Sequence, residues 1–159
     1  MLGDPKVIGQ LNLTLKEELQ AISQYFLHAE MCENWGYERL AEYIKKQSIG
    51  EMKHAEALIE RILFLDGTPN MTEPMTLTIG KNVREQLQSD LELETHAVKM
   101  YNNAVNIARE AADNTTRELF ERILKDEEEH VDWLEAQVHM IGEVGYERYL
   151  SEQMHEGED

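Results

Sequence analysis

Cysteine is almost absent from this 159-residue sequence, with Cys32 as the single example. One cysteine excludes a disulfide framework within the chain, a Cys-x-x-Cys redox pair and a zinc site built from cysteines. Such a composition is typical of a reducing compartment, and we expect a cytoplasmic protein. The N-terminal segment has no apolar stretch of the signal-peptide kind. No uninterrupted apolar run approaches the roughly 20 residues of a membrane-spanning helix, so no membrane partner is expected.

Positive charge is also scarce. The chain has 15 lysines and arginines against 32 aspartates and glutamates, which gives a formal net charge of −17. Because nucleic-acid binding needs Lys and Arg side chains to replace counterions, this balance argues against a nucleic-acid partner. A strongly negative field concentrates cations, so metal ions are expected partners. Hydrophobic residues make up 42% of the chain, which favours a folded core over a disordered acidic tail.

Proline is rare, and its positions divide the chain. Two of the three prolines, Pro69 and Pro74, fall between residues 66 and 80, which is the one obvious linker because proline interrupts a helix. The remainder reads as long helices, with apolar residues at the alternating four- and three-residue spacing of a helix bundle. We predict helices over residues 4–33, 37–65, 82–112 and 116–143, a short terminal helix over residues 146–153, and a frayed tail over residues 155–159.

The lengths of the connections predict the topology. The first and third links are short, so each should join an antiparallel helix pair, whereas the second is long enough to return along the bundle. We therefore expect an all-α, single-domain chain over residues 1–159, folded as a four-helix bundle with one long crossover and a short fifth C-terminal helix. On the fourth helix the predicted core stripe runs through Phe120, Ile123, Leu134, Val138 and Ile141.

Ionisable residues interrupt the apolar stripe of every long helix. They are two single glutamates, Glu18 and Glu94, and two Glu-x-x-His pairs, Glu51/His54 and Glu127/His130. Residues three apart on a helix share a face, so each pair can hold one metal ion together. Four buried carboxylates need compensating positive charge, and no Lys or Arg lies on the stripes at that level. Two divalent cations would balance them, and mixed oxygen and nitrogen ligands favour iron or manganese.

Neighbouring residues have simpler interpretations. The acids beside the second pair, Asp126, Glu128 and Glu129, are predicted to lie on a solvated face. His28 is read as a surface or packing residue. Tyr25 lies on the same stripe as Glu18 and is a core packing residue, a hydrogen-bond donor to a ligand or a source of an electron. His96 and His139 are also read as surface or packing residues, and Trp35 and Trp133 as packing or interface residues.

Met52 points away from the metal stripe. It follows Glu51, and successive helical residues are rotated by about 100°, so its side chain is directed to the outside of the bundle. Ile49 and Ile59 lie near it on that face. An outward apolar patch on a bundle favours an interface between subunits. A thioether can also ligate haem iron, although spacing alone does not require it.

Over nearly its whole length the sequence resembles the bacterioferritins, the haem-containing branch of the ferritins. The ligand pattern itself is the recognised one of ferritin-like di-iron proteins. The most specific part of the resemblance is a Glu-Met-x-His run with a second Glu-x-x-His downstream. The segments that carry it are Gly3-Asp-Pro-Lys-Val-Ile8, Ile22-Ser-Gln-Tyr-Phe-Leu-His28, Asn34-Trp-Gly36, Ser48-Ile-Gly-Glu-Met-Lys-His-Ala55, Glu60-Arg-Ile-Leu-Phe-Leu65, Asp126-Glu-Glu-Glu-His130 and Trp133-Leu-Glu135.

The resemblance implies an iron-storage ferroxidase, which oxidises Fe²⁺ with O₂ at a di-iron centre and stores the mineral in a hollow shell of 24 identical subunits built from two-fold dimers. Glu51 and Glu127 would bridge the two irons. It also implies a b-type haem between two subunits, with Met52 of each as axial ligand, and a small ferredoxin that supplies electrons for iron release. The implied iron ligands are Glu18, Glu51, His54, Glu94, Glu127 and His130, and the implied haem slot is lined by Leu19, Ile22, Ser23, Phe26 and Ile49.

The sequence departs from some relatives at two positions and leaves other functions open. Where those relatives have His and Asp, forming an extra iron site on the inner wall, this chain has Lys46 and Gly50, so that site is expected to be absent. A di-iron oxygenase or peroxidase that retains its metals would use the same ligands. A non-haem ferritin would share the site without needing Met52. A DNA-protecting mini-ferritin is disfavoured, because its metal site lies between subunits.

Overall fold

The computed structural model describes residues 1–154, so the predicted fraying of residues 155–159 lies outside the described part. Five helices follow one another along the chain: α1 (Pro5–Asn34), α2 (Glu38–Phe64), α3 (Val83–Glu110), α4 (Asn114–Val144) and α5 (Tyr146–Glu152). Asp4 caps α1 by accepting a hydrogen bond from the Lys6 amide, with Pro5 at the first helical position. Asn82 caps α3 in the same way through the Glu85 amide.

The four long helices form the predicted bundle. Packing is most extensive within the α1–α2 and α3–α4 pairs, which short turns connect. A long crossover joins α2 to α3, and α5 folds back against α4. In the described part of the chain, no helix is long and apolar enough to cross a membrane.

Two apolar clusters fill the bundle, one toward each end. The first is centred on the large side chains of Leu11, Leu58 and Phe120, and the second on those of Leu40 and Leu87. The six polar residues that interrupt the stripes lie between these clusters. Each long helix has apolar residues on both sides of its polar ones, so the folded core has a polar layer between two apolar layers.

The crossover is held to α1 by a ladder of polar side chains. Gln20 accepts a hydrogen bond from the Thr76 amide at 3.0 Å, and Gln24 accepts one from the Thr78 amide at 3.1 Å. The Nε2 atom of His28 accepts a third from the Gly80 amide at 3.0 Å. Four helical residues rise about 6 Å, nearly the length of two extended residues, so the helix and the crossover stay in register.

Two details differ from the sequence prediction. The turn before α4 lies at residues 111–113 rather than 113–115, because Ala112 takes up a left-handed φ of 56° and Asp113 caps the helix through the Thr116 amide. Val138, predicted in the core stripe, is 38% exposed. Gln137 is buried instead, because Tyr149 of the returning α5 donates a hydrogen bond to it at 2.7 Å.

Candidate metal centre

Four glutamates, one from each long helix, lie in the middle of the bundle. Their side chains are buried, and the most accessible residue of the four is only 2% exposed. They are Glu18 from α1, Glu51 from α2, Glu94 from α3 and Glu127 from α4. The spacing argument predicted that these residues would meet, and the structure brings them together.

The two histidines complete two overlapping groups of candidate ligands. In one group, oxygen or nitrogen atoms of Glu18, Glu51, His54 and Glu127 all lie within 4.8 Å of one another; the other contains Glu51, Glu94, Glu127 and His130. The histidines reach across between α2 and α4. The Nδ1 atom of His54 is 3.1 Å from Oε1 of Glu127, and the Nδ1 atom of His130 is 3.0 Å from Oε1 of Glu51. Glu51 and Glu127 belong to both groups.

Several of these buried atoms lack a hydrogen-bond partner. One carboxylate oxygen of each of the four glutamates is unpartnered, as is Nδ1 of His130. Unsatisfied buried polar atoms are rare in folded proteins, and here they converge on one place. This donor set fits divalent cations with mixed oxygen and nitrogen coordination, such as iron or manganese.

Burial, mutual repulsion and hydrogen bonding shift the pKa values of three of the four glutamates. Burial raises the pKa of Glu51 well above its usual value, and repulsion from Glu18 and Glu94 adds to the rise. Burial likewise raises the pKa of Glu127, again with repulsion from Glu94. For Glu94 the effect of burial is outweighed by hydrogen bonding to Glu127 and His130, so its pKa is lowered. Without cations, burial therefore favours the protonated forms of Glu51 and Glu127, and hydrogen bonding favours the ionised form of Glu94.

The pKa values of both histidines are raised, although burial alone would lower them. Burial alone would lower the pKa of His54, but hydrogen bonding to Glu127, Glu18 and Glu51 outweighs it and raises the pKa above the usual value. Burial also opposes the charged form of His130, whose pKa is nevertheless raised by Glu94. A metal ion bound here would take the place of these protons.

Two buried tyrosines flank the glutamates. Tyr25 of α1 packs in the core and donates a hydrogen bond to Glu94 of α3, as two of the interpretations of the sequence predicted. Tyr101 of α3 donates a hydrogen bond to Glu18 of α1 at 2.5 Å. Tyr101 was not singled out from the sequence. The signal was present, since each tyrosine lies seven residues after the single glutamate of its own helix.

Asp126 corrects another sequence prediction. Its side chain is 50% exposed, as a solvated face requires, but its Oδ2 atom lies 2.8 Å from Nε2 of His54. Asp126 therefore contacts the metal centre from outside. Histidines that bind metals usually donate their second ring nitrogen to a carboxylate in this way.

His28 is a buried structural residue rather than a surface one. Its Nδ1 atom lies 3.0 Å from Oδ1 of Asp90, which also accepts a hydrogen bond from Gln24 at 2.8 Å. Its Nε2 atom accepts from the Gly80 amide, so the ring links α3 to the crossover. Cys32 is also buried, and burial raises the pKa of its thiol to about 12.

Met52 lies where the helical geometry predicted, on the outside of the bundle. Its side chain is 56% exposed. Ile49, one turn earlier on α2, is 46% exposed, and Phe26 of α1 is 53% exposed. Exposed apolar side chains that form a contiguous patch usually mark a site that another molecule covers. The six candidate metal ligands and Met52 therefore occupy separate places, one inside the bundle and one on its surface.

A four-helix bundle with a long crossover, two Glu-x-x-His pairs and two single glutamates around one buried centre defines a ferritin-like protein. The ferritin-like domain of the ferritin family matches residues 8–143 of this chain.

The relatives narrow this class further. A bacterioferritin from Mycolicibacterium paratuberculosis is 45% identical over 152 residues, 96% of each chain. One from Streptomyces coelicolor is 44% identical over 95% of this chain and 90% of its own. One from Brucella melitensis is 44% identical over 94% of this chain and 92% of its own. The chain belongs to the bacterioferritin family of iron-storage proteins.

Proposed function

We propose that residues 1–159 form one ferritin-like domain that acts as a ferroxidase and iron-storage subunit, oxidising Fe²⁺ to Fe³⁺ with O₂. The observation that carries this proposal is the convergence of four buried, unpartnered carboxylate oxygens with two histidines. A structural core has no use for such a cluster, because each unpaired buried charge is destabilising. A protein that admits divalent cations to this place neutralises the cluster whenever they bind.

The two groups of ligands suggest a role for each residue. Glu18 and His54 would hold one iron, and Glu94 and His130 the other. Glu51 and Glu127, which belong to both groups, would bridge the two. Tyr25 and Tyr101 would orient the terminal glutamates through their hydroxyl groups.

Iron is the substrate at this centre, and its redox chemistry is its own. Two Fe²⁺ ions held side by side can each give one electron to a single O₂ molecule, which becomes reduced as both irons become Fe³⁺. Hydrolysis of Fe³⁺ then releases protons and forms an insoluble mineral. The chain contributes carboxylates, whose negative charge favours Fe³⁺, and histidines, whose nitrogen ligands favour iron or manganese over calcium.

The surface around Met52 supports assembly and a haem. We propose a shell of 24 subunits built from two-fold dimers, in which the apolar patch of one copy covers that of the next. The Met52 thioether is exposed on this surface, where it would bind the iron of a haem shared by two subunits. Such a haem would carry electrons inward for iron release, with a small ferredoxin as donor. The free, buried thiol of Cys32 is compatible with a cytoplasmic location.

The deciding experiment is stepwise addition of Fe²⁺ in air to the purified apoprotein. Iron that stays with the protein after gel filtration is counted per subunit, and particle size is measured on the same fractions. A storage ferroxidase in a shell takes up far more than two irons per subunit in a very large particle. Saturation near two irons in a small particle would refute storage and identify a di-iron oxygenase or peroxidase that retains its metals.

A further inference from the structure

The two halves of the metal centre are related by an approximate two-fold symmetry. The crossing contacts of His54 with Glu127 and of His130 with Glu51 are nearly equal, at 3.1 and 3.0 Å. The tyrosine contacts repeat the pattern, since α1 donates to the glutamate of α3 and α3 donates to that of α1. A residue near one Glu-x-x-His pair should therefore have a counterpart near the other.

Asp126 breaks this symmetry. It directly precedes Glu127 on α4, and its carboxylate holds the Nε2 atom of His54 at 2.8 Å. The residue in the same place on α2, directly before Glu51, is Gly50, which has no side chain to offer. Within residues 1–154, no side chain lies at hydrogen-bond or ion-pair distance from the Nε2 atom of His130; all the close contacts of that ring are made by Nδ1.

The difference matters because a metal-binding imidazole has two tautomers and a rotatable ring. A carboxylate on Nε2 places the proton there, leaves the lone pair on Nδ1 and makes that nitrogen a stronger donor. At His54 this carboxylate is in place before any metal arrives, so a metal that displaces the Nδ1 proton finds the ring already oriented, with the remaining proton on Nε2. His130 must select its tautomer and ring orientation when the metal binds.

We infer that the two metal positions of this centre have unequal affinities, and that the presence of Asp126 and the absence of a side chain at Gly50 set the difference. The position that contains His54 is the tighter one, and the position that contains His130 is the weaker. Asp126 is a positioning residue, since it acts through His54. The inference rests on the proposed function, which makes both histidines ligands. Partners of this kind typically change metal affinity by about 10- to 100-fold.

Co²⁺ is a suitable probe, because it does not oxidise under the conditions of a binding experiment. Calorimetric titration of the metal-free wild-type protein should resolve two binding steps whose affinities differ by about 10-fold or more. Crystals soaked with less than one equivalent of Co²⁺ per subunit should show anomalous density mainly beside His54. Equal steps with equal occupancies would overturn the inference.

Substitution of Asp126 tests the anchor itself. Asp126→Ala should weaken the first step by about 10- to 100-fold and leave the second unchanged. Asp126→Asn, which keeps an acceptor oxygen but no charge, should fall between Asp126→Ala and wild type. Glu128→Gln is the matched control, an exposed acid two residues away on the same helix. An Asp126→Ala protein that titrates like Glu128→Gln would refute the role of Asp126.

Substitution of Gly50 tests whether a side chain at this position strengthens metal binding by giving Nε2 of His130 a hydrogen-bond partner. A Cβ atom at Gly50 would meet no other atom within 4 Å, so a side chain can be accommodated there. Gly50→Asn should tighten the second step by about 10-fold without changing the first. Gly142→Asn is the control, because it is also a helical glycine in open space. An unchanged second step in folded Gly50→Asn would contradict the inference.

The same titrations separate this inference from the proposed function. If the wild-type protein bound no Co²⁺ in the bundle, or if Glu51→Gln bound it as tightly as wild type, the ligand assignment itself would be wrong. If binding depended on Glu51 but the two steps were equal, the ligands would stand and only the inequality would fail.

Discussion

Tyr101 on α3 donates a hydrogen bond to Glu18 on α1, and Tyr25 on α1 returns one to Glu94 on α3. The two helices thus exchange tyrosine hydroxyls across the metal centre. Both tyrosines are buried, and burial together with the nearby carboxylates raises the pKa of each hydroxyl well above its usual value. The hydroxyls therefore remain protonated and act as donors at any ordinary pH.

Tyr101→Phe should destabilise the metal-free protein by about 1–2 kcal/mol, because Glu18 loses a donor and keeps its burial. Chemical denaturation in the presence of a chelator measures the free energy of unfolding. Tyr37→Phe is the control, since the Tyr37 hydroxyl makes no hydrogen bond in the described structure. Equal unfolding free energies for Tyr101→Phe and Tyr37→Phe would show that the contact with Glu18 contributes nothing.

Glu127→Ala should assemble and fold but oxidise Fe²⁺ far more slowly, because it removes a ligand common to both positions. Stopped-flow absorbance after mixing with Fe²⁺ in air measures the oxidation rate, and Glu128→Gln serves as control. A wild-type oxidation rate in Glu127→Ala would rule out Glu127 as a ligand.

The stability of the metal-free protein should fall as the pH rises above the ordinary pKa values of glutamate and histidine, about 4.3 and 6.5. The pKa values of Glu51, Glu127, His54 and His130 are all raised in the folded state. The folded chain then binds more protons than the unfolded chain, and this contribution is lost as pH passes through the folded pKa values, by up to about 1.4 kcal/mol per pH unit for each proton.

Added metal should reverse this trend. Metal ions displace the same protons, so the stabilisation by Co²⁺ or Zn²⁺ should grow over the same pH range. Urea denaturation at several pH values, with a chelator or with excess metal, gives both curves. Parallel curves would show that metal binding does not displace protons from the centre.

His28→Leu should destabilise the protein by about 3 kcal/mol, because it leaves Asp90 and the Gly80 amide buried without their shared partner. His139→Leu, which changes an exposed histidine, is the control. Thermal and urea unfolding report the difference. If the two variants were equally stable, the contacts of His28 would not hold the crossover.

Met52→Leu should assemble and oxidise iron as wild type does but bind no haem, because leucine offers no ligand atom. The measurement is the Soret absorbance after reconstitution with haem, alongside the rate of iron oxidation. Haem retained at wild-type stoichiometry would refute the role of Met52. Loss of both haem binding and assembly would instead assign Met52 to subunit packing.

Much of this structure follows from residue spacing. The four long helices, the crossover and the meeting of Glu18, Glu51, Glu94 and Glu127 were predictable because helical periodicity places them on buried stripes. The role of Asp126 was not predictable. Asp126 contacts His54, which is 72 residues away on another helix, and half of the Asp126 side chain is still exposed to solvent. The exposure of Val138 depended on how α5 returns, which no local pattern encodes.

The ladder of hydrogen bonds between α1 and the crossover determines where residues can be inserted without breaking those bonds. Successive amides of an extended segment point in opposite directions, and only every second one meets Gln20, Gln24 or His28. One residue inserted between 76 and 80 would turn the following amides away from α1. Residues inserted between 70 and 75 would precede the first rung and leave the register intact. Natural variation in loop length within such chains should therefore collect on the N-terminal side of Thr76.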